Sequence, residues 1–261
     1  TAGCDIGSLT AKAAVVEDGR ILGWAVTRAT RAPAESARSV MALALEMARL
    51  GFDDVAYCVG TGYGRRNIPF AQGVESEIAC HARGAVRQAP DARTVIDIGG
   101  QDAKAIKVDA SGNVLRYVYN DKCASGTGRF LEVIAEALDV RLEDLGEIAA
   151  RSTKSIALSN QCVVFAETEI ISLVSDGAEI PDIINALHHA VANRAASLAR
   201  GMGVEGTAVM TGGVANNPGM FAALGRALGT SLVRIENPQI NGAVGAALYA
   251  ADRIGAQGTG K

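Results

Sequence analysis

An internal repeat constrains this chain more than any single residue does. Displacing the sequence by 92 positions, from Asp5 to Asp97, lays Val95-Ile96-Asp97-Ile98-Gly99-Gly100-Gln101-Asp102-Ala103-Lys104-Ala105-Ile106-Lys107-Val108 over the opening segment. Asp5 then falls on Asp97, Ile6 on Ile98, Gly7 on Gly99, Ala11 on Ala103, Lys12 on Lys104, Ala13 on Ala105 and Val16 on Val108. The matches cover turn residues as well as strand residues, which chance similarity between two hairpins does not require. Both copies read as two short strands around a glycine turn, and both turn again, at Gly19 and Gly112, into a third apolar strand. The expected fold is therefore α/β, with two duplicated lobes and a cleft between them. Residues 1–90 plus 240–261 are expected to form the first lobe, and 91–239 the second.

The residues at the turns suit a phosphate site. Glycine at positions 7, 99 and 100 lets backbone approach a phosphate closely, and the hydroxyls of Ser8 and Thr10 can donate to phosphate oxygens. Asp5 and Asp97 can hold a hydrated divalent cation and the attacking water, which Gln101 can orient. Lys12 and Lys104 reach phosphate if they point inward, or solvent if they lie on the outer strand face. A single Asp-x-Gly turn is also plain hairpin chemistry, so it is the duplication that points to a nucleotide. Further along, Thr207–Met220 reads as an apolar strand delivering the Gly212-Gly213 turn into a helix, with room for a ring or ribose at Gly212, Gly213 and Asn216. The run Asn237–Tyr249 is rich in Gly and Ala and reads as a closely packed helix.

Two of the five cysteines stand apart from this scheme. Cys123, in Asn120-Asp121-Lys122-Cys123-Ala124-Ser125-Gly126-Thr127-Gly128-Arg129-Phe130, and Cys162, after Asn160-Gln161, each occupy a polar turn that introduces an amphipathic run. A thiolate beside Lys122 and at the positive end of a helix is favoured by charge and by free N–H groups, which suits a metal or cluster ligand. Ser125 or Thr127 can cap the helix after Cys123. Cys58 falls in an apolar strand at 55–59 and reads as a buried core thiol. Glu77, Cys80 and His81 share a predicted helix over 75–88 but have too few facing pairs for a metal site. His188 and His189 read as surface or packing residues of a helix running from Pro181 to about Arg200. A helix over 34–50 should bury Val40, Leu43, Ala44 and Met47. Arg65 and Arg66, in a glycine-rich loop, are either solvated or face a partner or a phosphate.

The formal net charge of −3 with scattered basic residues gives no nucleic-acid surface, and no run reaches transmembrane length. An odd cysteine count without disulfide spacing, and first residues lacking the basic and apolar parts of a leader, lead to the expectation of a cytoplasmic protein with thiol or metal chemistry.

Together these segments resemble the ATPase activators of 2-hydroxyacyl-CoA dehydratases and the related ATP-binding subunits of benzoyl-CoA reductases. The resemblance rests on Asp5-Ile6-Gly7-Ser8, Gly60-Thr61-Gly62-Tyr63-Gly64, Cys80-His81-Ala82-Arg83-Gly84-Ala85, Asp97-Ile98-Gly99-Gly100-Gln101-Asp102, the two cysteine motifs and Thr211-Gly212-Gly213-Val214. It implies the ribonuclease H-like lobes of the actin/hexokinase/Hsp70 ATPase fold and hydrolysis of Mg2+-ATP to ADP. It also implies one [4Fe–4S] cluster bridging two subunits of a homodimer in an anaerobic setting, with Cys123 and Cys162 as this chain's ligands. A ferredoxin or flavodoxin would be the donor, and an acyl-CoA dehydratase or reductase the acceptor. Counting agrees: a cubane takes four thiolates, and two per chain doubled by a two-fold axis makes four. A small-molecule kinase of the same superfamily is the rival enzyme class, and a nucleotide sensor the non-enzymatic one.

Overall fold

The computed structural model describes residues 1–158 and 162–258. Asn160 and Gln161, which precede Cys162, and residues 259–261 lie outside the described residues. The backbone divides into two compact units. One comprises Thr1–Ala92, Val108–Leu115 and the chain from Ile235 onward; the other comprises Arg93–Lys107 and Arg116–Arg234.

In the first unit β1 (Ala2–Ile6), β2 (Thr10–Glu17) and β3 (Arg20–Arg28) form an antiparallel meander. The β2–β3 turn is the Asp18-Gly19 pair, both at positive φ (49° and 74°), the geometry that matches strand twist. Helix α1 (Pro33–Ala48) starts on proline, whose fixed φ and missing N–H cost nothing at a first position. It buries Ala37, Val40, Met41, Ala44 and Leu45. Leu43 and Met47, expected inside, are exposed, because they fall roughly a quarter turn off that i, i+3, i+4, i+7 stripe. Strand β4 (Cys58–Thr61) runs parallel to β1 and begins three residues later than expected, after a 3-10 turn at Phe52–Asp54. After β5 (Gly73–Val74) and α2 (Glu77–Gln88), the sheet order is β3-β2-β1-β4-β5.

The second unit repeats the plan. Strands β6 (Ala92–Ile98) and β7 (Ala103–Val108) form the hairpin and β8 (Val114–Asn120) is the outer strand. Then follow α3 (Gly128–Ala137), α4 (Leu145–Ala149), α5 (Val163–Ser175), α6 (Ile180–Met202), β9 (Thr207–Thr211), α7 (Pro218–Leu228) and β10 (Leu232–Arg234). The order is β10-β9-β6-β7-β8, so each sheet flanks its hairpin with the third strand on one side and a later strand on the other. The two sheets have separate cores. Phe130, Leu131, Ile134 and Ala135 of α3 enter the second core as the helical pattern predicts. Last, α8 (Asn241–Gly258) returns to the first unit, where Gly245 leaves no room for a Cβ against the Cys80 carbonyl. That close approach to α2 is why the run is rich in small residues.

Candidate functional site

The two hairpins agree in register residue by residue. Asp5 pairs with Lys12 and Asp97 with Lys104, and Ile6 and Ile98 pair with Ala11 and Ala103. At the tips, Gly7 N donates to Thr10 O at 3.0 Å and Gly99 N donates to Asp102 O at 2.9 Å, so both glycine N–H groups close their own turns. Among the described residues, the N–H groups of Gly100 and Gln101, and of Ser8 and Leu9, have no protein acceptor. Ser8 and Gln101 are exposed and Thr10 is half-buried.

The lysines turn inward. Lys12 Nζ lies 3.0 Å from Asp5 Oδ2, and Lys104 Nζ lies 3.3 Å from Asp97 Oδ2 and 2.7 Å from Asp102 Oδ2. The solvent-facing alternative is thereby removed: the Lys104 side chain is only 5% exposed and that of Lys12 14%. Both aspartates are buried. Thr211 Oγ1 donates to Asp97 Oδ1 at 3.0 Å, whereas Asp5 Oδ1 has no hydrogen-bond partner among the described residues. A buried carboxylate oxygen without a donor is costly, so this one marks a place where an outside group can bind.

Each hairpin aspartate is closed over by a glycine at the end of the neighbouring strand. Gly62, at φ 84°, follows β4, and Gly212, at φ 87°, follows β9. A Cβ on Gly62 would collide with Asp5 Oδ1 and the Ile6 carbonyl; one on Gly212 would collide with Asp97 Oδ1 and the Ile98 carbonyl. The duplication thus extends to Thr61-Gly62 and Thr211-Gly212. Gly213 and Asn216, both exposed, bound a 3-10 turn before α7. The start of α7 is already capped, since the Asn217 side chain accepts from Met220 N. Asn217 also meets His188 Nε2 at 3.1 Å, and burial pushes His188 down to about 4, so this histidine packs α6 against α7. Arg65 Nη1 donates to the Gly62 carbonyl at 3.0 Å and holds its own loop; Arg66 is exposed.

The five cysteines separate cleanly. Cys4, Cys58 and Cys80 are buried, and burial raises all three thiols, Cys58 to about 12. Cys123 and Cys162 are exposed. Cys162 is the N-cap residue of α5, its carbonyl accepting from Ala166 N at 2.8 Å. Cys123 instead precedes a 3-10 turn, Ala124–Gly126, and α3 starts only at Gly128. The first N–H groups of α3 are not free: Gly128 N donates to Gly99 O at 2.8 Å and Arg129 N to Gly100 O at 2.7 Å. What lowers the Cys123 thiol is hydrogen bonding from Ser125, with the Arg194 guanidinium beside it. Thr127 is the α3 N-cap residue but makes no side-chain cap there, its hydroxyl donating to Ala124 O, and Ser125 faces the sulfur.

The family model described as the BadF/BadG/BcrA/BcrD ATPase family matches residues 2–250. The chain belongs to this family. It is 45% identical over 255 residues to the (R)-2-hydroxyglutaryl-CoA dehydratase activating ATPase of Acidaminococcus fermentans, covering 96% of each chain. It is also 34% identical over 264 residues to a benzoyl-CoA reductase subunit of Thauera aromatica, covering 97% of this chain and 93% of that one. The solved structure of the activator of the 2-hydroxyisocaproyl-CoA dehydratase from Clostridium difficile with bound ADPNP matches with a TM-score of 0.95 at 41% identity, covering 100% of this chain and 98% of that one. A ROK family glucokinase from Streptomyces griseus, in complex with glucose and AMPPNP, matches at TM-score 0.62 and 16% identity over 97% of this chain and 99% of that one, a likeness of fold alone. The architecture is the hexokinase-type α/β fold.

Three features of this BadF/BadG/BcrA/BcrD ATPase escaped sequence reasoning. Arg194 reaches Cys123 from α6, and nothing local announces it. Thr211 engages Asp97 across the sheet. Asp182, at the start of α6, accepts from Ser152 Oγ, Thr153 N and Lys154 N at 2.8–2.9 Å, which holds its carboxyl below the usual range and anchors the start of the connection toward Cys162. Among the described residues, no helix is long and apolar enough to cross a membrane.

Proposed function

We propose that this ATPase is a homodimeric, [4Fe–4S]-carrying activator that passes a low-potential electron to a 2-hydroxyacyl-CoA dehydratase. The observation that carries the reading is the division of the thiols: only Cys123 and Cys162 are exposed, and Cys123 is held toward its anion, as a cluster ligand must be. The buried three are kept protonated and are unsuited to iron. Cys123 and Cys162 would supply two of four thiolates, and a second copy of the chain the others. Exposed Val164, Phe165 and Ile171 on α5, beside Cys162, are apolar surface that a second copy would cover. The cluster, when bound, supplies the one-electron redox chemistry.

The residues around the hairpins carry the ATP chemistry. Asp5, with its unpartnered Oδ1, and Asp97 would hold hydrated Mg2+ and the attacking water, and Gln101 would orient that water toward the γ-phosphate. Gly7, Ser8, Thr10, Lys12, Gly99, Gly100 and Lys104 would grip the phosphates, with Gly212, Gly213 and Asn216 along the adenosine. The carbonyls of Gly99 and Gly100 accept directly from the first N–H groups of α3. A change of turn geometry on hydrolysis to ADP and phosphate would therefore pull on the segment that bears Cys123.

A ferredoxin or flavodoxin fits as donor, the cytoplasm as compartment, and anaerobic conditions as the setting, because an exposed low-potential cluster reacts with oxygen. The alternative of a dedicated benzoyl-CoA reductase subunit is favoured by the 34% relative and would show itself by co-purification with a second, non-identical ATPase chain. Iron and acid-labile sulfide per chain, with native mass, test the main reading: about four irons per dimer are expected. Cys123→Ala should lose the cluster and keep ATP binding. An iron-free monomer that still turns over ATP would return the function to a kinase or sensor.

A further inference from the structure

Cys123 is attended by a two-residue relay from a distant helix. Arg194 Nη1, on α6, donates to Ser125 Oγ at 2.5 Å and stands 3.8 Å from Cys123 Sγ; Ser125 Oγ lies 2.9 Å from that sulfur. A guanidinium has donors and no acceptor, so Ser125 must accept from Arg194. The single hydroxyl proton is then left for the sulfur. Ser125 is fully buried, so water does not compete for it. Asn120 completes the turn, its side chain accepting from Cys123 N and donating to Cys123 O, which fixes the backbone that carries the sulfur.

We propose that Arg194, acting through Ser125, is a positioning residue that imposes an O–H···S hydrogen bond on Cys123 and raises the reduction potential of the cluster this cysteine ligates. The inference rests on the cluster reading. One-electron reduction adds one negative charge, spread over the cluster and its sulfurs, with no proton moved and no bond broken. A fixed donor on a ligand sulfur, backed by a permanent cation, stabilises the reduced form more than the oxidised form. The chain thereby makes the resting cluster easier for its electron donor to reduce.

The test uses anaerobically purified full-length protein as wild type, Ser125→Ala, Arg194→Gln, Arg194→Lys and the Ser125→Ala/Arg194→Gln double variant. Iron and sulfide per chain are measured first, then the midpoint potential by spectroscopic redox titration without any partner enzyme. Loss of one charge-assisted hydrogen bond is expected to lower the one-electron reduction equilibrium about tenfold, which is about 59 mV. Ser125→Ala and Arg194→Gln should each shift by about that much, Arg194→Lys by less because the charge remains. The double variant should shift by less than the sum, since both residues serve one relay. A full cluster with an unmoved potential in Ser125→Ala and Arg194→Gln would overturn the relay while leaving the cluster reading intact. Should Ser125→Ala lose iron, the potential of Arg194→Gln decides alone. An iron-free wild type would overturn the cluster reading and the relay with it.

Discussion

The two hairpins share a strand register, a turn closure and a covering glycine, yet they treat their aspartates differently. Asp97 is engaged at both oxygens, by Thr211 and Lys104, and Lys104 is shared with Asp102. Asp5 is engaged by Lys12 at Oδ2 and keeps Oδ1 buried without a partner. The position equivalent to Asp102 is Thr10, so the first copy lacks the second carboxylate. Duplication preserved the backbone scaffold and the threonine, but Thr211 donates to its aspartate whereas Thr61 donates to the Glu75 carbonyl, which leaves one copy internally satisfied and the other open to an external group.

The glycine equivalence can be broken most forcefully. Gly62→Ala and Gly212→Ala each place a Cβ against a carboxylate and a carbonyl at positive φ, and each should cost roughly 3 kcal/mol or more in urea unfolding. Tolerance of one with collapse of the other would end the claim that the two strand ends are duplicates.

The lysines sharpen the difference. Lys104→Met leaves two carboxylates short of a buried cation and should destabilise by about 3–5 kcal/mol. Lys12→Met removes a more exposed partner from one carboxylate and should cost about 1–3 kcal/mol. Equal losses would mean the two aspartates are not differently held.

Acid separates the two units by another route. His188, in the second unit, has its folded value near 4 against about 6.5 unfolded, so the unfolded chain binds the proton more tightly. The stability it confers is complete above pH 6.5 and is lost as pH falls toward 4, on the order of 3 kcal/mol. Hydrogen exchange should show α6 and α7 loosening in that window while β1 and β2 hold, and His188→Gln should flatten the dependence. An unchanged slope in the variant would remove His188 from the account.

The smallest effect concerns the threonines. Thr211→Val strips a donor from Asp97 and should cost about 1–3 kcal/mol and slow ATP turnover. Thr61→Val, whose hydroxyl donates to the Glu75 carbonyl, should cost a comparable amount with less effect on turnover. Equal slowing in both would show that Thr211 does not act through Asp97.

The hairpins were legible because strand alternation and turn chemistry are local, and one displacement of 92 positions aligns all their residues. The Thr-Gly pairs were not. From Thr61 to Thr211 the displacement is 150 positions, because α3, α4, α5 and α6 stand between β8 and β9 where α1 is the one α-helix between β3 and β4, and two matching residues carry no pattern once the register has slipped. Leu43 and Met47 were misplaced for a related reason: helical spacing names several candidate stripes, and the packing partner selects one. The two cysteines stood out by their polar flanks, and the structure exposes both. At Cys123 the expected direction held and a backbone N–H contributes, that of Ser125, but the charge was misassigned: Lys122 is a neighbour in sequence whereas Arg194 is the neighbour in space.

By itself the sequence determined what short-range physics controls: which segments are strands, where the chain turns on glycine, that the plan occurs twice, and which thiols stand in polar turns. Tertiary structure alone decided which charge meets which partner. Lys12 and Lys104 turn onto aspartates, Thr211 completes one of these and leaves the other open, and Arg194 directs the Ser125 proton to Cys123. Such contacts depend on the relative placement of elements far apart in the chain, which buried packing sets and no local propensity encodes.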